Sequence, residues 1–395
     1  MSSWEAGILA RRLARRNRTQ EERASPVISL IYCVSFPEPI LTARIRTASV
    51  SLLAIALLGW FLRGANLGDV WTHVRSADVG LLVLALVFVL ATLWIRTFRW
   101  QQLLGPIGPT RFRIVFRAGV IGFAALSILP ARVGDLLRPY LVARQEGLLF
   151  TSTFATIVME RVLDLVAVLA LMALHVWGFA DTSGWQPRLL AMTQISAAVG
   201  GAAALVLLVI MWVLASHPER IETLVHSTDR VLPRRVALRL GGLARAFSSG
   251  FAVAREPRAF LFALAWSFPL WVVIAAETWA VTRAFDIELP FTGTFLLQLF
   301  LVVGVAVPTP GGVGSYHELY RFGVTSFFGA PNDLAVAAAI VVHAISFMPV
   351  LLLGVIFMAQ DGLSLGSLKA MAGTAREQEK ASQSDEVSVL RSSRR

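Results

Sequence analysis

Pro130-Ala131-Arg132-Val133-Gly134 and Pro310-Gly311-Gly312-Val313-Gly314 are two copies of one pattern, Pro-x-x-Val-Gly, one in each half of the chain. Each interrupts a long apolar segment. Proline removes a backbone donor and cannot continue a helix, and glycine takes up conformations closed to other residues. Inside a bilayer, backbone broken in this way must be buried in protein or line a wet cavity. Matching breaks in two halves of a chain point to a binding site at a repeat interface.

The surrounding composition is that of a membrane protein. The chain is 56% hydrophobic and 15% charged, with mean hydropathy +0.67. Apolar runs long enough for a hydrocarbon core of about 30 Å cover 47–62, 79–95, 189–215, 259–282 and 334–360. The regions 114–179 and 291–330 are apolar but interrupted. The net charge of +11 comes from arginine in the loops, which orients spans and argues against a nucleic-acid partner. Cys33 is the sole cysteine, so neither an intrachain disulfide nor a cysteine metal cluster is expected, and no cofactor is.

The arginines set the parity of crossings. Residues 1–46 carry eight arginines, 96–117 carry five with no acid, and 216–258 carry eight against four acids. All three stretches belong on the cytoplasmic side by the positive-inside rule. That holds only if the region around Pro130 enters and leaves on the cytoplasmic side, and the region around Pro310 does so from outside. The expected fold is therefore all-α: a polytopic helical bundle with two re-entrant hairpins in an inverted repeat. The membrane domain is 47–360, with both termini cytoplasmic in the plasma (inner) membrane. Residues 1–46 and 361–395 read as disordered tails, and 216–258 as an amphipathic, Arg-rich cytoplasmic insert.

Ionisable groups at membrane depth are costly and mark candidate sites. The first break supplies Arg132, Asp135 and Arg138, and the helix after it supplies Glu160, Arg161 and Asp164. Glu160 and Asp164 share a helix face. This set is either interior glue among helices or a site in which Arg132, Arg138 and Arg161 receive an anionic headgroup. Arginine suits phosphate because its planar fork binds two oxygens and stays charged. At the second break, Gly311, Gly312 and Gly314 leave backbone N–H groups open before a half-helix, unless the stretch is a plain loop. Glu318 follows its proline at the offset at which Arg138 follows the first. Glu277 and His343 sit within spans as candidates for carrying a coupling proton, although a lone histidine can also be a packing residue. Trp94, Arg96, Arg99 and Trp100 are expected to form an interfacial belt.

Several of these elements, taken in order, resemble the membrane region of the lysylphosphatidylglycerol synthase/flippase family. They are Arg99-Trp100-x-x-Leu103-Leu104, Pro130-x-Arg132-x-Gly134-Asp135-x-x-Arg138, Glu160-Arg161-x-x-Asp164 and Pro308-x-Pro310-Gly311-Gly312-x-Gly314-x-x-x-Glu318. Asp135 stands where the family typically has glutamate. The resemblance implies a multi-pass, flippase-like protein that moves or processes phospholipids, glycolipids or polyprenyl-linked lipids. Residues 361–395 are too few for the catalytic domain of bifunctional members, so no enzyme activity is expected. The expected partners are membrane lipids with anionic headgroups, with a second copy or a lipid-synthesising enzyme as further candidates. The rival readings are a membrane-embedded lipid-modifying transferase and a non-catalytic partner of such an enzyme.

Overall fold

A computed structural model describes residues 40–129, 133–179, 187–216, 257–307 and 309–363, together with Gly366. Residues 1–39, the 217–256 insert and 364–395 other than Gly366 lie outside these residues, as do Pro130, Arg132 and Pro308; residues 40–46 and 361–363 of the expected tails are among the described ones. The chain falls into two compact units, Met1–Ser49 and Val50–Arg395. Among the described residues, the first holds the opening of helix α1 (Ile40–Leu62).

The described residues form helices joined by short connections, and no strand. After α1 come α2 (Leu67–Ser76), α3 (Val79–Leu104), α4 (Phe112–Ile128), α5 (Val133–Glu146) and α6 (Phe150–Leu174). A π turn (His175–Phe179) ends α6. There follow α7 (Pro187–Ser216), α8 (Pro257–Ala284), α9 (Gly293–Ala306), α10 (Ser315–Phe328) and α11 (Asn332–Gln360). By length and apolar composition α3, α8 and α11 can each cross a membrane. Helix α6 is 25 residues long but carries Glu160, Arg161 and Asp164, of which Glu160 and Asp164 turn inward.

Caps and tight turns place the helix ends. Gly64, at φ 79°, breaks the chain after α1, and the following short helix is bent from it by 83°. The Asn66 side chain accepts from Gly68 N and starts α2, and Asp78 accepts from Leu81 N and starts α3. The backbone N–H of Asp78 donates to the Ala284 carbonyl, tying the start of α3 to the finish of α8. Asn66 and Asn332 join the start of α11 to the same end of the bundle. At the opposite end, Arg117 holds Asp361 at 2.6 Å, and Leu104, Ala263 and Met358 share one apolar cluster.

Two helical hairpins approach from these opposite ends. Helices α4 and α5 fold back on each other: a Cβ at Gly122 would lie 1.9 Å from Arg138 Cγ, and one at Gly134 would lie 2.1 Å from the Gly122 carbonyl oxygen. This pair runs beside the second half of α11, where Gly354 meets Ala124 and Phe357 meets Phe116. Helices α9 and α10 pair in the same manner, with Gly304 against Tyr316 and Gly323 against Leu297. They run beside the first half of α11, and their tip reaches His343. The tips touch midway, where Gly311 approaches the backbone of Ser127.

The halves repeat. Helices α3, α4, α5 and α6 begin at Val79, Phe112, Val133 and Phe150, and α8 to α11 begin at Pro257, Gly293, Ser315 and Asn332, with nearly the same spacing. The packing repeats too: α11 lies on α4 as α6 lies on α9, and α3 and α8 pack on each other. Because α3 and α8 start at opposite ends, the repeat is inverted.

Gly134 has no room for a methyl group, so Gly134→Ala should overpack the hairpin by roughly 1–3 kcal/mol and lower the unfolding temperature of the purified protein. Gly59→Ala, with open space around it, should not. Equal thermal stability of the two variants would contradict the packing of α4 on α5.

Candidate functional site

The inward face of α6 organises a buried charge network. Glu160 and Asp164 lie one turn apart and meet arginines from two other helices. Arg138 of α5 donates through both terminal nitrogens to Glu160, at 3.3 and 3.1 Å. Arg99 of α3 reaches Asp164 at 2.7 Å and Glu160 at 3.7 Å, and also donates to Ser267 of α8. Trp271 Nε1 donates to Asp164, and Arg161 donates to Asp135 at 2.8 Å. The Arg138 guanidinium is held between the rings of Trp100 and Phe123, 4.4 and 4.6 Å from their centroids.

Arg99 and Trp100 are fully buried, which corrects the expectation of an interfacial belt. Helix α3 continues to Leu104, so these positions still lie within the bundle, and the Trp100 indole donates to Thr156. Only Trp94 of the four has the exposure of a surface anchor.

Beside this network is a cavity of about 480 Å³. Its polar wall carries Arg96, Arg161, Asp164 and Glu277, with Gln298, Tyr316 and Ser346. The hairpin tips close on it through Ser127 and Leu129 on one side and Thr309, Gly311 and Gly312 on the other. The remaining wall is apolar, including Leu126, Leu165, Val168, Val302 and Val305. Arg96 faces this space with no carboxylate at ion-pair distance among the described residues; its guanidinium lies 5.4 Å from the centroid of the Phe123 ring. Glu277 is met by the Ser346 hydroxyl and, among the described residues, by no cation at ion-pair distance.

The sequence candidates thus fall into different places. Arg161, Asp164, Glu277, Gly311 and Gly312 line the cavity. Arg138 and Glu160 lie behind it and are engaged with each other. Asp135 holds Arg161 from outside the wall. Gly314, at φ 88°, lies against Leu57 of α1, where a Cβ would be only 2.5 Å from that side chain. Glu318 pairs with Arg321 at 2.7 Å, and neither lines the cavity. In the helices, the counterpart of Arg138 is Tyr320 rather than Glu318. Counted from the helix starts at Val133 and Ser315, Arg138 and Tyr320 occupy the same position in α5 and α10. His343 Nε2 contacts the Gly311 carbonyl at 2.8 Å, and its ring packs on His317 and Phe347. The described residues contain no group of three metal-ligating side chains.

By sequence alone Arg96 belonged to the membrane surface. The signal for an interior role was its position one turn before Arg99 on an otherwise apolar helix. Trp271, Gln298, Tyr316 and Ser346 carried no such signal, since each is an ordinary residue of an apolar helix.

Residues 48–354 match the family described as the lysylphosphatidylglycerol synthase TM region. The chain is 24% identical over 365 residues to a Haloferax volcanii protein named glycosyltransferase AglD, covering 86% of this chain and 58% of that protein. It thus spans less than two thirds of that relative's length. It is 24% identical over 324 residues to a Methanothermobacter thermautotrophicus protein named UPF0104 membrane protein, covering 78% of this chain and 90% of the relative. A Pyrococcus horikoshii UPF0104 membrane protein is 24% identical over 336 residues, covering 80% of this chain and 96% of the relative.

Removing one member of the buried network strands the others. Glu160→Gln should therefore destabilise the fold by about 3–5 kcal/mol, seen as lost monodisperse protein on size exclusion and a lower unfolding temperature. Arg161→Gln, on the cavity wall, should be milder. A Glu160→Gln variant as stable as wild type would show that the network is not what holds α3, α5 and α6 together.

Proposed function

Because the chain belongs to the lysylphosphatidylglycerol synthase TM-region family, we propose that it translocates lipids whose headgroup carries an ionised phosphate. In this reading the phosphate is received in the cavity between the hairpin tips. The observation that carries the reading is Arg96, a guanidinium without a carboxylate partner among the described residues, on the same wall as Arg161. An arginine in that setting offers a planar pair of donors to phosphate oxygens. The apolar wall gives acyl chains a surface that water does not. The cavity sits midway along α11, where a headgroup passes between the two leaflets.

The hairpins support the same reading. Helices of 14 to 17 residues reach about 21–26 Å, short of a hydrocarbon core of about 30 Å. Each hairpin then enters and leaves on one face. The end where α11 finishes is cytoplasmic in this proposal, because the basic stretches 96–117 and 216–258 join helices there. Alternating access follows when the two inverted halves exchange conformations around the fixed site.

The name of the Haloferax relative favours a second reading, a lipid-modifying glycosyl transfer. Product formed from a sugar donor and lipid by the purified chain alone would establish it over translocation.

In liposomes holding a labelled phosphatidylglycerol, the protein should speed the exposure of inner-leaflet label to a membrane-impermeant quencher. Arg96→Gln and Arg161→Gln should each reduce that rate about tenfold, equivalent to about 1.4 kcal/mol of lost headgroup interaction, while remaining folded. Wild-type rates in both variants would overturn the phosphate site. For topology, single cysteines at Leu149 and Glu288, both exposed, should be placed in a Cys33→Ser background. An impermeant thiol reagent on whole cells should label position 288 and spare 149; labelling of both would overturn the opposed hairpins.

A further inference from the structure

Glu277 and Ser346 make a hydrogen-bond arrangement that one proton count satisfies and another does not. The Ser346 hydroxyl lies 2.5 Å from Glu277 Oε1 and 2.8 Å from the carbonyl oxygen of Val342, one turn earlier on α11. Both neighbours are acceptors if Glu277 is ionised, and a serine has one O–H to donate. Both contacts are hydrogen bonds if Glu277 is protonated: its O–H donates to Ser346 Oγ, and Ser346 donates to Val342. On the same cavity wall, Arg96 has no carboxylate at ion-pair distance among the described residues, Glu277 included. A neutral Glu277 accounts for that separation too.

We propose that Glu277 is a proton-binding site whose protonation keeps Arg96 free for the lipid phosphate. The proposal rests on the phosphate reading above and names its coupling ion. With the proton on Glu277, Arg96 is open to a phosphate. When the proton leaves to water, the Glu277 carboxylate becomes an internal anion that competes with phosphate for the same guanidinium. Phosphate binding and proton binding are then linked: each favours the other. An empty carrier returns with Arg96 neutralised by its own carboxylate, which removes a bare charge from the membrane interior.

The other groups facing Glu277 do not replace it in this role. Helix α3 contributes Arg96, and α6 contributes Arg161 and Asp164, which are already joined to Asp135, Arg99 and Trp271. Helix α9 contributes only the neutral Gln298, which donates to Thr278 and the Ile274 carbonyl. Helix α10 contributes Tyr316 and His317, and the His317 ring nitrogen Nδ1 accepts from Gly314 N. Helix α11 contributes His343, engaged with Gly311. Of these, the histidines are the alternative proton carriers, and His343 serves as the control.

The experiment measures binding of phosphatidylglycerol, whose phosphodiester stays singly ionised, to purified protein across roughly pH 5–9. Wild-type affinity should fall as pH rises through the Glu277 titration, by up to about tenfold per pH unit. Glu277→Gln, permanently neutral, should bind as tightly as wild type at low pH and show no pH slope. His343→Asn should keep the wild-type slope. A slope retained in Glu277→Gln, or no slope in wild type, overturns the proposal. Infrared difference spectra provide a readout independent of lipid: wild type should show a titrating protonated-carboxyl band that Glu277→Gln lacks. If that band is present and no lipid binds at any pH, the proton site stands and the lipid reading fails. If the band is unchanged by Glu277→Gln, the proton site fails.

Discussion

Glu160 is fully enclosed by protein, with Arg138 in two-pronged contact on one side and Arg99 on the other. A charge cannot stay in that setting without compensation, so the backbones that deliver the arginines are constrained with it. Helix α3 must bring Arg99, α5 must bring Arg138, and α6 must present Glu160 and Asp164 on one face. Arg138 can reach inward only because Gly122 leaves space for its side chain. Thus a hairpin glycine and a buried ion pair enforce the same geometry.

The two halves share a backbone plan but differ in chemistry. Where the first half pairs Arg161 with Asp135, the second packs His343 on His317, at the matching positions of its own helices. Tyr320, the counterpart of Arg138, is equally buried, and its hydroxyl hydrogen-bonds Thr282. Asp164 is matched by Ser346. At these matched positions the first half is joined by charge and the second by rings and hydroxyls. The cavity lies where they meet, which is why its polar groups differ from side to side.

Several features were legible from residues alone. Counting loop arginines against crossings gave the expectation of opposed re-entrant hairpins; the contacts place two short helix pairs along opposite halves of α11. The second Pro-x-x-Val-Gly copy marked the tip between α9 and α10, while Pro130, Ala131 and Arg132 of the first lie outside the described residues. Glu160 and Asp164 were placed on one face by their spacing. Arg138 was legible as an interior residue, but its seat between Trp100 and Phe123 was not, because those rings come from α3 and α4. Arg96 was misplaced because an arginine near tryptophans reads as a membrane-surface anchor unless the helix is known to run on.

Composition, the spacing of apolar runs and the sign of the loops determined by themselves that this is a multi-pass helical protein with two matched breaks. Those are local or additive properties: a residue's transfer free energy and a loop's charge do not depend on which helix lies next door. Which arginine is engaged by a carboxylate and which is left facing the cavity was decided only by tertiary structure. Arg99 and Arg96 lie one turn apart on one helix, with the same side chain and nearly the same neighbours in sequence. Their difference arises because α6 brings Asp164 within 2.7 Å of Arg99, and no carboxylate among the described residues comes as close to Arg96.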